Sequence, residues 1–310
     1  MMNVFATTKP FGTLMMKLLA GLVPKKVEIE PGTIMNFWAP MELVDENSKK
    51  KITKPVVLLL HGFCADGLLT WFFQAPALAT DYTVFFADLL FFGDSISDNP
   101  DRSTSFQAEC LAKGLRMFGV EKCTVVGFSY GGMVGFKMAK LFPNLVDSMV
   151  VTGTVMESDE PAAGGDSWKN ERLARWSHFL LPETTSGGRK LLKFGSHRFQ
   201  WFPDFVVSDF LEVMYEHKKE KRQLLEALYF SDDDDFKPAN LTQRVHLLWG
   251  ANDRILSLEV AHSLKTKLGD KAQLIWIEDA GHLVQMDRPL LYNSCLKQIL
   301  ASFYAPTTSP

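Results

Sequence analysis

The segment 127–131, Gly-Phe-Ser-Tyr-Gly, has the residue types and spacing that can present a serine as a nucleophile. An apolar stretch, residues 124–126, comes before it and predicts a strand, and the small residues after it predict the start of a helix. Glycines two positions before and after Ser129 let strand and helix approach closely and leave the serine oxygen exposed on a sharp turn. The pattern also occurs by chance, so it needs support from other segments.

Two later segments supply the partners that a serine nucleophile requires. An apolar strand predicted at 245–250 is followed by Asp253, and another at 273–277 is followed by His282. A serine hydroxyl is a weak nucleophile until a base takes its proton, and the imidazole needs a carboxylate to hold its tautomer. We therefore predict Ser129 as nucleophile, His282 as base and Asp253 as acid, with Asp88 and Asp279 as alternatives for the acid.

A fourth segment predicts where negative charge would be stabilised. The apolar strand 56–60 runs into His61, Gly62 and Phe63. We expect the backbone N–H groups of Phe63 and Tyr130 to form an oxyanion hole. His61 is predicted to support this turn by hydrogen bonding, with a role as base as the alternative.

These motifs, together with the segment 88–95 and Gly281-His282, resemble the α/β-hydrolase superfamily over nearly the whole chain. Within it the sequence is most similar to the group that contains monoacylglycerol lipases, small esterases, carbon–carbon bond hydrolases and related plant proteins. The resemblance implies an α/β-hydrolase fold: a mostly parallel, eight-stranded sheet with helices on both faces and an inserted helical cap. Alternation of predicted strands and helices along the chain agrees with it.

The resemblance favours a serine hydrolase that cleaves a carboxylic ester of an apolar or lipid-like substrate through an acyl-enzyme. Epoxide hydrolases and haloalkane dehalogenases share the fold but place an aspartate where this chain has Ser129. A lyase, cyclase or carbon–carbon bond hydrolase could use the same triad, because the fold does not fix the bond broken. A small-molecule receptor with the hydrolase fold is a further alternative, and multiple turnover would separate it from an enzyme.

The sequence predicts three parts: an N-terminal amphipathic helical segment (1–25), a core (26–155 and 241–305) and a helical cap (156–240). In the cap, strand alternation stops and aromatic residues are frequent. A small helical insertion must bury apolar faces, so most of these aromatics are expected to form the core of the cap, and the rest to line an apolar entrance over Ser129. The expected substrate-binding residues are Trp71, Phe128, Trp176, Phe179 and Leu283.

The N-terminal segment has one apolar helical face, formed by Phe11, Leu14, Met15, Leu18, Leu19 and Leu22. The stretch is shorter than a membrane span, and Lys17 interrupts it. Packing of this helix on the domain is the favoured interpretation. The alternative is peripheral contact with a membrane surface, which the flanking lysines Lys9, Lys25 and Lys26 support.

Composition limits the classes of partner. The chain has 310 residues, 33 Lys and Arg against 36 Asp and Glu, and a formal charge of −3, so nucleic acid is not an expected partner. Four scattered cysteines predict free thiols and a reducing, cytoplasmic location. No metal site and no cofactor are expected, because His, Cys and carboxylates lack ligand spacing and no Gly-x-Gly-x-x-Gly follows a strand.

Overall fold

A computed structural model of the chain describes residues 3–45, 51–156, 165–230 and 241–305, with backbone alone for 165–172 and 229–230. The strands are β1 Leu22–Glu30, β2 Thr33–Pro40, β3 Val56–Leu60, β4 Thr83–Ala87, β5 Ile96–Ser97, β6 Cys123–Phe128, β7 Val146–Thr152, β8 Arg244–Gly250 and β9 Ala272–Ile277. The helices before the cap are α1 Val4–Ala20, α2 Met41–Val44, α3 Gly67–Trp71, α4 Gln74–Ala79, α5 Thr104–Met117 and α6 Tyr130–Leu141. The later helices are α7 Gly165–Leu180, α8 Thr185–Gly195, α9 Asp204–Met214, α10 Lys218–Phe230, α11 Leu258–Leu268, α12 Val284–Asp287 and α13 Pro289–Tyr304.

The strands form one mixed sheet in the order β1-β2-β4-β3-β6-β7-β8-β9. The β1–β2 and β2–β4 pairs are antiparallel, and every pair from β4 to β9 along that order is parallel. The eight strands on this path confirm the predicted sheet. The ninth, β5, pairs only with Thr33 and Ile34 of β2, and two residues were too few for the sequence to reveal it.

Both faces of the sheet are covered, because successive strand residues point to opposite sides. In β3, Leu58 and Leu60 belong to one buried cluster, and Val57 and Leu59 belong to the other. The first cluster also takes residues from α5, α6, α11 and the cap, and the second takes residues from α1, α3, α4 and α13. The parallel strands are therefore mainly apolar, and β3 has apolar residues on both faces.

The predicted boundary of the N-terminal segment at residue 25 differs from the structure. Gly21 has a φ of 66° and ends α1, with its N–H donating to the Lys17 carbonyl oxygen at 3.0 Å. The chain then enters β1, where Leu22 already pairs with Pro40. A left-handed glycine after a helix is a common stop signal, and here it lies four residues before the predicted boundary.

Helices α7 to α10 lie between β7 and β8, within the predicted cap range 156–240, of which residues 157–164 and 231–240 are outside the described part of the chain. The expectation that most cap aromatics form its core, with the rest at an apolar entrance, stays a prediction, and three of these residues are exposed. Phe199, Trp201 and Phe205 are 53%, 75% and 49% exposed. Periodicity shows which residues share a helix face and leaves open whether that face is covered.

The four cysteines are free thiols, as predicted, and burial raises the pKa of Cys64 to about 11. Of the helices in the described ranges, none is long and apolar enough to cross a membrane.

Candidate active site

Four loops that carry the predicted site residues meet at one edge of the sheet. Phe63 follows β3, Ser129 follows β6, Asp253 follows β8 and His282 follows β9. These strands run parallel, so their carboxyl ends lie at the same edge, where α/β sheets bind their ligands.

Ser129 occupies a strained turn between β6 and α6. Its φ of 52° and ψ of −119° lie outside the regions that L-residues ordinarily adopt. Its N–H donates to the Thr152 carbonyl oxygen at 2.8 Å, and its own carbonyl oxygen accepts from Thr154 Oγ1 at 2.7 Å and Gly132 N at 2.9 Å. Together with a longer one from Met133 N at 3.3 Å, these hydrogen bonds hold the backbone in a conformation that costs about 1–3 kcal/mol by itself.

His282 is held by Asp253. The distance from His282 Nδ1 to Asp253 Oδ2 is 2.8 Å, and both side chains are buried. The second oxygen, Asp253 Oδ1, accepts from the backbone N–H groups of Ile255 and Leu256 at 2.8 and 2.9 Å. The carboxylate thus accepts the proton on Nδ1 and leaves Nε2 as the basic nitrogen of the imidazole.

The other two aspartates considered for the acid have different contacts. Asp88 accepts from Asn36 Nδ2 and from the N–H of Gly67, both at 2.9 Å. Asp279 is exposed and lies 3.4 Å from Arg288 Nη1. The structure therefore places Asp253 against the imidazole of His282.

Two glycines make room for this arrangement. A Cβ atom at Gly153 would lie 2.7 Å from His282 Cε1, and the φ of Gly153 is 54°. A Cβ atom at Gly62 would lie 2.8 Å from the ring of Phe128 and 3.2 Å from Ser129 Cβ. Any larger residue at either position would displace the imidazole or the serine turn.

The two predicted oxyanion donors belong to neighbouring residues, since the rings of Phe63 and Tyr130 lie 5.7 Å apart in an edge-to-face contact. Tyr130 is the first residue of α6, so its N–H has no acceptor within the helix. His61 Nε2 accepts from Leu89 N at 2.9 Å, and Nδ1 lies 2.7 Å from the Gly62 carbonyl oxygen. Burial lowers the pKa of His61, so the neutral ring holds the turn, the supporting role predicted for it.

Ser129, His282, Phe63 and Tyr130 line one cavity of about 720 Å³ beneath the cap. Its wall is mainly apolar, and of the five expected substrate-binding residues it includes Phe128, Trp176 and Leu283. The cavity falls in the size range of small-molecule sites, about 300–1,000 Å³. A substrate of predominantly apolar surface fits this wall.

Trp71 and Phe179 do not line the cavity, so these two predictions need correction. Trp71 is fully buried in the second apolar cluster, because α3 turns it toward the sheet face that α13 covers. Phe179 packs on Trp176 and Phe194, at ring-centroid distances of 6.1 and 5.8 Å. Both residues lie next to cavity residues in sequence, Trp71 beside Thr70 and Phe179 beside Leu180, but their side chains point away from the cavity.

Sequence reasoning missed Asp287, which joins the histidine loop to the cap. This buried carboxylate accepts from the N–H of Gly281 at 2.7 Å and of His197 at 2.8 Å, and also from the hydroxyl of Ser196. The neighbouring Leu283 N–H donates to the Gly195 carbonyl oxygen at 2.8 Å. The signal available in the sequence was one acidic residue five positions after His282.

Arg254 makes a similar connection from the acid loop. Its guanidinium donates to the carbonyl oxygens of Lys193 and Ser196, and it lies 5.3 Å above the ring of Phe194. Cap segment 193–198 is therefore fixed to the loops that carry both Asp253 and His282. Within the described ranges, no group of three His, Cys, Asp or Glu side chains has the arrangement of a metal site.

Comparison with known proteins agrees with this architecture. Residues 55–289 match the family model described as alpha/beta hydrolase fold. The chain belongs to the α/β-hydrolase fold family. Its sequence and the strand order of its sheet both agree with a hydrolase of this family.

Relatives in the family carry several names. Epoxide hydrolase 4 of Homo sapiens is 24% identical over 281 residues, which cover 78% of this chain and 71% of that protein. A putative lipase from Acinetobacter baumannii has a TM-score of 0.75 at 21% identity and covers 94% of this α/β hydrolase and 96% of its own chain. A 2-hydroxy-6-oxo-6-phenylhexa-2,4-dienoate hydrolase from a Rhodococcus species has a TM-score of 0.70 at 22% identity, with 91% and 98% covered. These solved structures share the fold.

Proposed function

We propose that this α/β hydrolase is a serine hydrolase that cleaves a carboxylic ester of an apolar or lipid-like substrate through an acyl-enzyme. The observation that carries the proposal is the hydrogen-bonded Asp253–His282 pair, in which His282 shares an apolar cavity with Ser129 on its strained turn. His282 takes the proton of Ser129 as its oxygen attacks the ester carbonyl carbon. The N–H groups of Phe63 and Tyr130 receive the negative charge that develops on the carbonyl oxygen.

The second half of the cycle uses the same groups. His282, now protonated, gives its proton to the departing alcohol, and an acyl group remains on Ser129. Water deprotonated by His282 then attacks the acyl carbonyl carbon and releases the acid. Asp253 stabilises the imidazolium in both steps while remaining ionised.

The names of the epoxide hydrolase relatives suggest a different substrate, and the chemistry of Ser129 argues against it. A carboxylate that opens an epoxide forms an ester, which water hydrolyses at its carbonyl. A serine oxygen would form an ether, which offers no carbonyl for water to attack. Of these two reactions, ester cleavage is therefore the one that a serine at this position can complete.

The test is covalent labelling with a fluorophosphonate reagent, followed by turnover of p-nitrophenyl esters of increasing chain length. We expect labelling and multiple turnover by the native protein, with both abolished in Ser129→Ala while circular dichroism stays unchanged. Ser105→Ala, in helix α5, is the matched control and should behave as the native protein. Retained turnover in Ser129→Ala would refute the assignment, and stoichiometric binding without turnover would favour a receptor.

A further inference from the structure

Helix α1 exposes apolar side chains to solvent. Phe11, Leu14 and Leu18 are 61%, 51% and 67% exposed, and their spacing of three and four places them on one side of the helix. We call these three residues the outer stripe. The helix packs through another side: Met16 is buried, and a Cβ atom at Gly12 would lie 3.4 Å from Leu68 Cδ2. The helix therefore packs on the domain, as predicted, but it does so through Gly12 and Met16, and the outer stripe faces away from the domain.

The charged side chains that helix α1 and the start of β1 contribute are all positive. Residues 4–27 contain four lysines and no aspartate or glutamate. Lys9 and Lys26 share one carboxylate, Asp94, at 2.9 and 3.6 Å, so these three side chains together carry one excess positive charge. Lys17 is exposed and lies between Leu14 and Leu18 in the sequence.

This combination complements a lipid bilayer that carries anionic headgroups. Apolar side chains of an interfacial helix enter the boundary between headgroups and acyl chains. Lysine stems lie along that apolar region while the ammonium groups remain with the headgroups. Each lysine near an anionic surface contributes about 1 kcal/mol of attraction.

Helix α1 also connects the outer stripe to the substrate cavity. Phe5 lines the cavity, and its ring lies 5.7 Å from that of Phe210 on α9. Val4 N donates to Asp209 Oδ2 at 2.7 Å, which fixes the start of α1 to the cap. Phe199 lines the cavity and is 53% exposed, so an apolar side chain of the cap stands at its mouth.

We propose that the outer stripe docks on the surface of a bilayer containing anionic lipids, with α1 lying in the interface, so that an apolar ester reaches Ser129 from the membrane. The identity of that substrate rests on the proposed function. The docking itself needs no catalysis, so the two can fail separately.

The test is co-sedimentation of the full chain with phosphatidylcholine vesicles, with and without phosphatidylserine. The native protein should bind the vesicles that contain phosphatidylserine, and salt should weaken this binding. Phe11→Gln/Leu18→Gln should reduce the partition coefficient at least about tenfold, because two exposed apolar side chains are lost. The control Met117→Gln/Leu141→Gln changes exposed apolar residues on α5 and α6 and should bind as the native protein does.

Other results identify a different occupant or none. Absence of native binding to either vesicle, or native-like binding by Phe11→Gln/Leu18→Gln, would overturn the proposal. So would a lipid-free dimer that this variant converts to a monomer, since a second copy would then cover the outer stripe. Ser129→Ala should bind vesicles normally, and Phe11→Gln/Leu18→Gln should retain hydrolysis of a soluble short-chain ester, which separates docking from catalysis.

Discussion

Asp287 offers a sharp test of how the histidine loop is positioned, because two substitutions at this site should behave very differently. Asparagine can keep its carbonyl oxygen on the N–H groups of Gly281 and His197, while its amide donates to the hydroxyl of Ser196. Alanine removes every acceptor and leaves these donors buried. At about 1–3 kcal/mol for each unsatisfied backbone N–H, Asp287→Ala should lower the free energy of unfolding by about 2–6 kcal/mol.

The effect on catalysis follows from the position of Gly281 immediately before His282. Loss of the 2.7 Å hydrogen bond to Gly281 N frees the loop that carries the imidazole of His282. A displacement of about 1 Å at a catalytic group can cost about 100-fold in rate, so we expect kcat of Asp287→Ala to fall by about that factor. Asp287→Asn should retain kcat within about threefold, because its main hydrogen bonds remain.

The assay measures kcat and KM on a short-chain p-nitrophenyl ester, well below the melting temperature of each variant, together with the rate of fluorophosphonate labelling. Labelling should slow in parallel with kcat, because it also depends on the base. If Asp287 were only structural, its substitution would lower stability while the folded protein kept native kcat and a native labelling rate. That result in Asp287→Ala, or equal damage by alanine and asparagine, would refute the positioning role.

Three further substitutions test the site and its surroundings. Gly153→Ala should reduce kcat at least about tenfold, because the new methyl group meets the His282 ring and the φ of 54° disfavours alanine. Native activity in this variant would contradict the packing. Asp253→Asn should reduce kcat by about 10⁴-fold, and a negligible effect would move the acid elsewhere. Burial and the nearby Asp88 raise the pKa of Asp66 from 3.8 to about 6, so its carboxylate destabilises the folded state increasingly as pH rises from about 4 to 6. In urea titrations, Asp66→Asn should have the native free energy of unfolding near pH 3.5 and exceed it by up to about 3 kcal/mol at pH 7.5. The same difference at both pH values would exclude the linkage between the pKa of Asp66 and stability.

The sequence was sufficient to find the parts of the site that depend on local patterns. Ser129, Asp253 and His282 each follow an apolar strand, and parallel strands bring such loops to one edge. The same reasoning found the turn at Phe63. Each of these predictions required only an apolar strand, the position where it ends and the type of one residue after it, and all three can be read from a short stretch of sequence.

Contacts between distant segments were not predictable in this way. Trp71 has a plausible position in sequence, but the orientation of α3 buries it in the core. For α1, the apolar periodicity placed Phe11, Leu14 and Leu18 on one helix face and could not say whether that face would be covered. Asp287 was missed because its partners, Ser196 and His197, come from the cap, about ninety positions away in the chain.

The connections of the cap to the catalytic loops have a mechanical consequence. Arg254 and Asp287 both bind the cap segment 193–198. Arg254 is next to Asp253 in the sequence, and Asp287 follows His282 by five positions. A cap that opened widely would have to break these hydrogen bonds and would release the loops of Asp253 and His282 together. Substrate entry through the mouth at Phe199, with the segment 193–198 kept in place, avoids that cost. Substitutions that loosen this segment should therefore change kcat and KM together, whereas those at the mouth should change KM for long-chain esters alone.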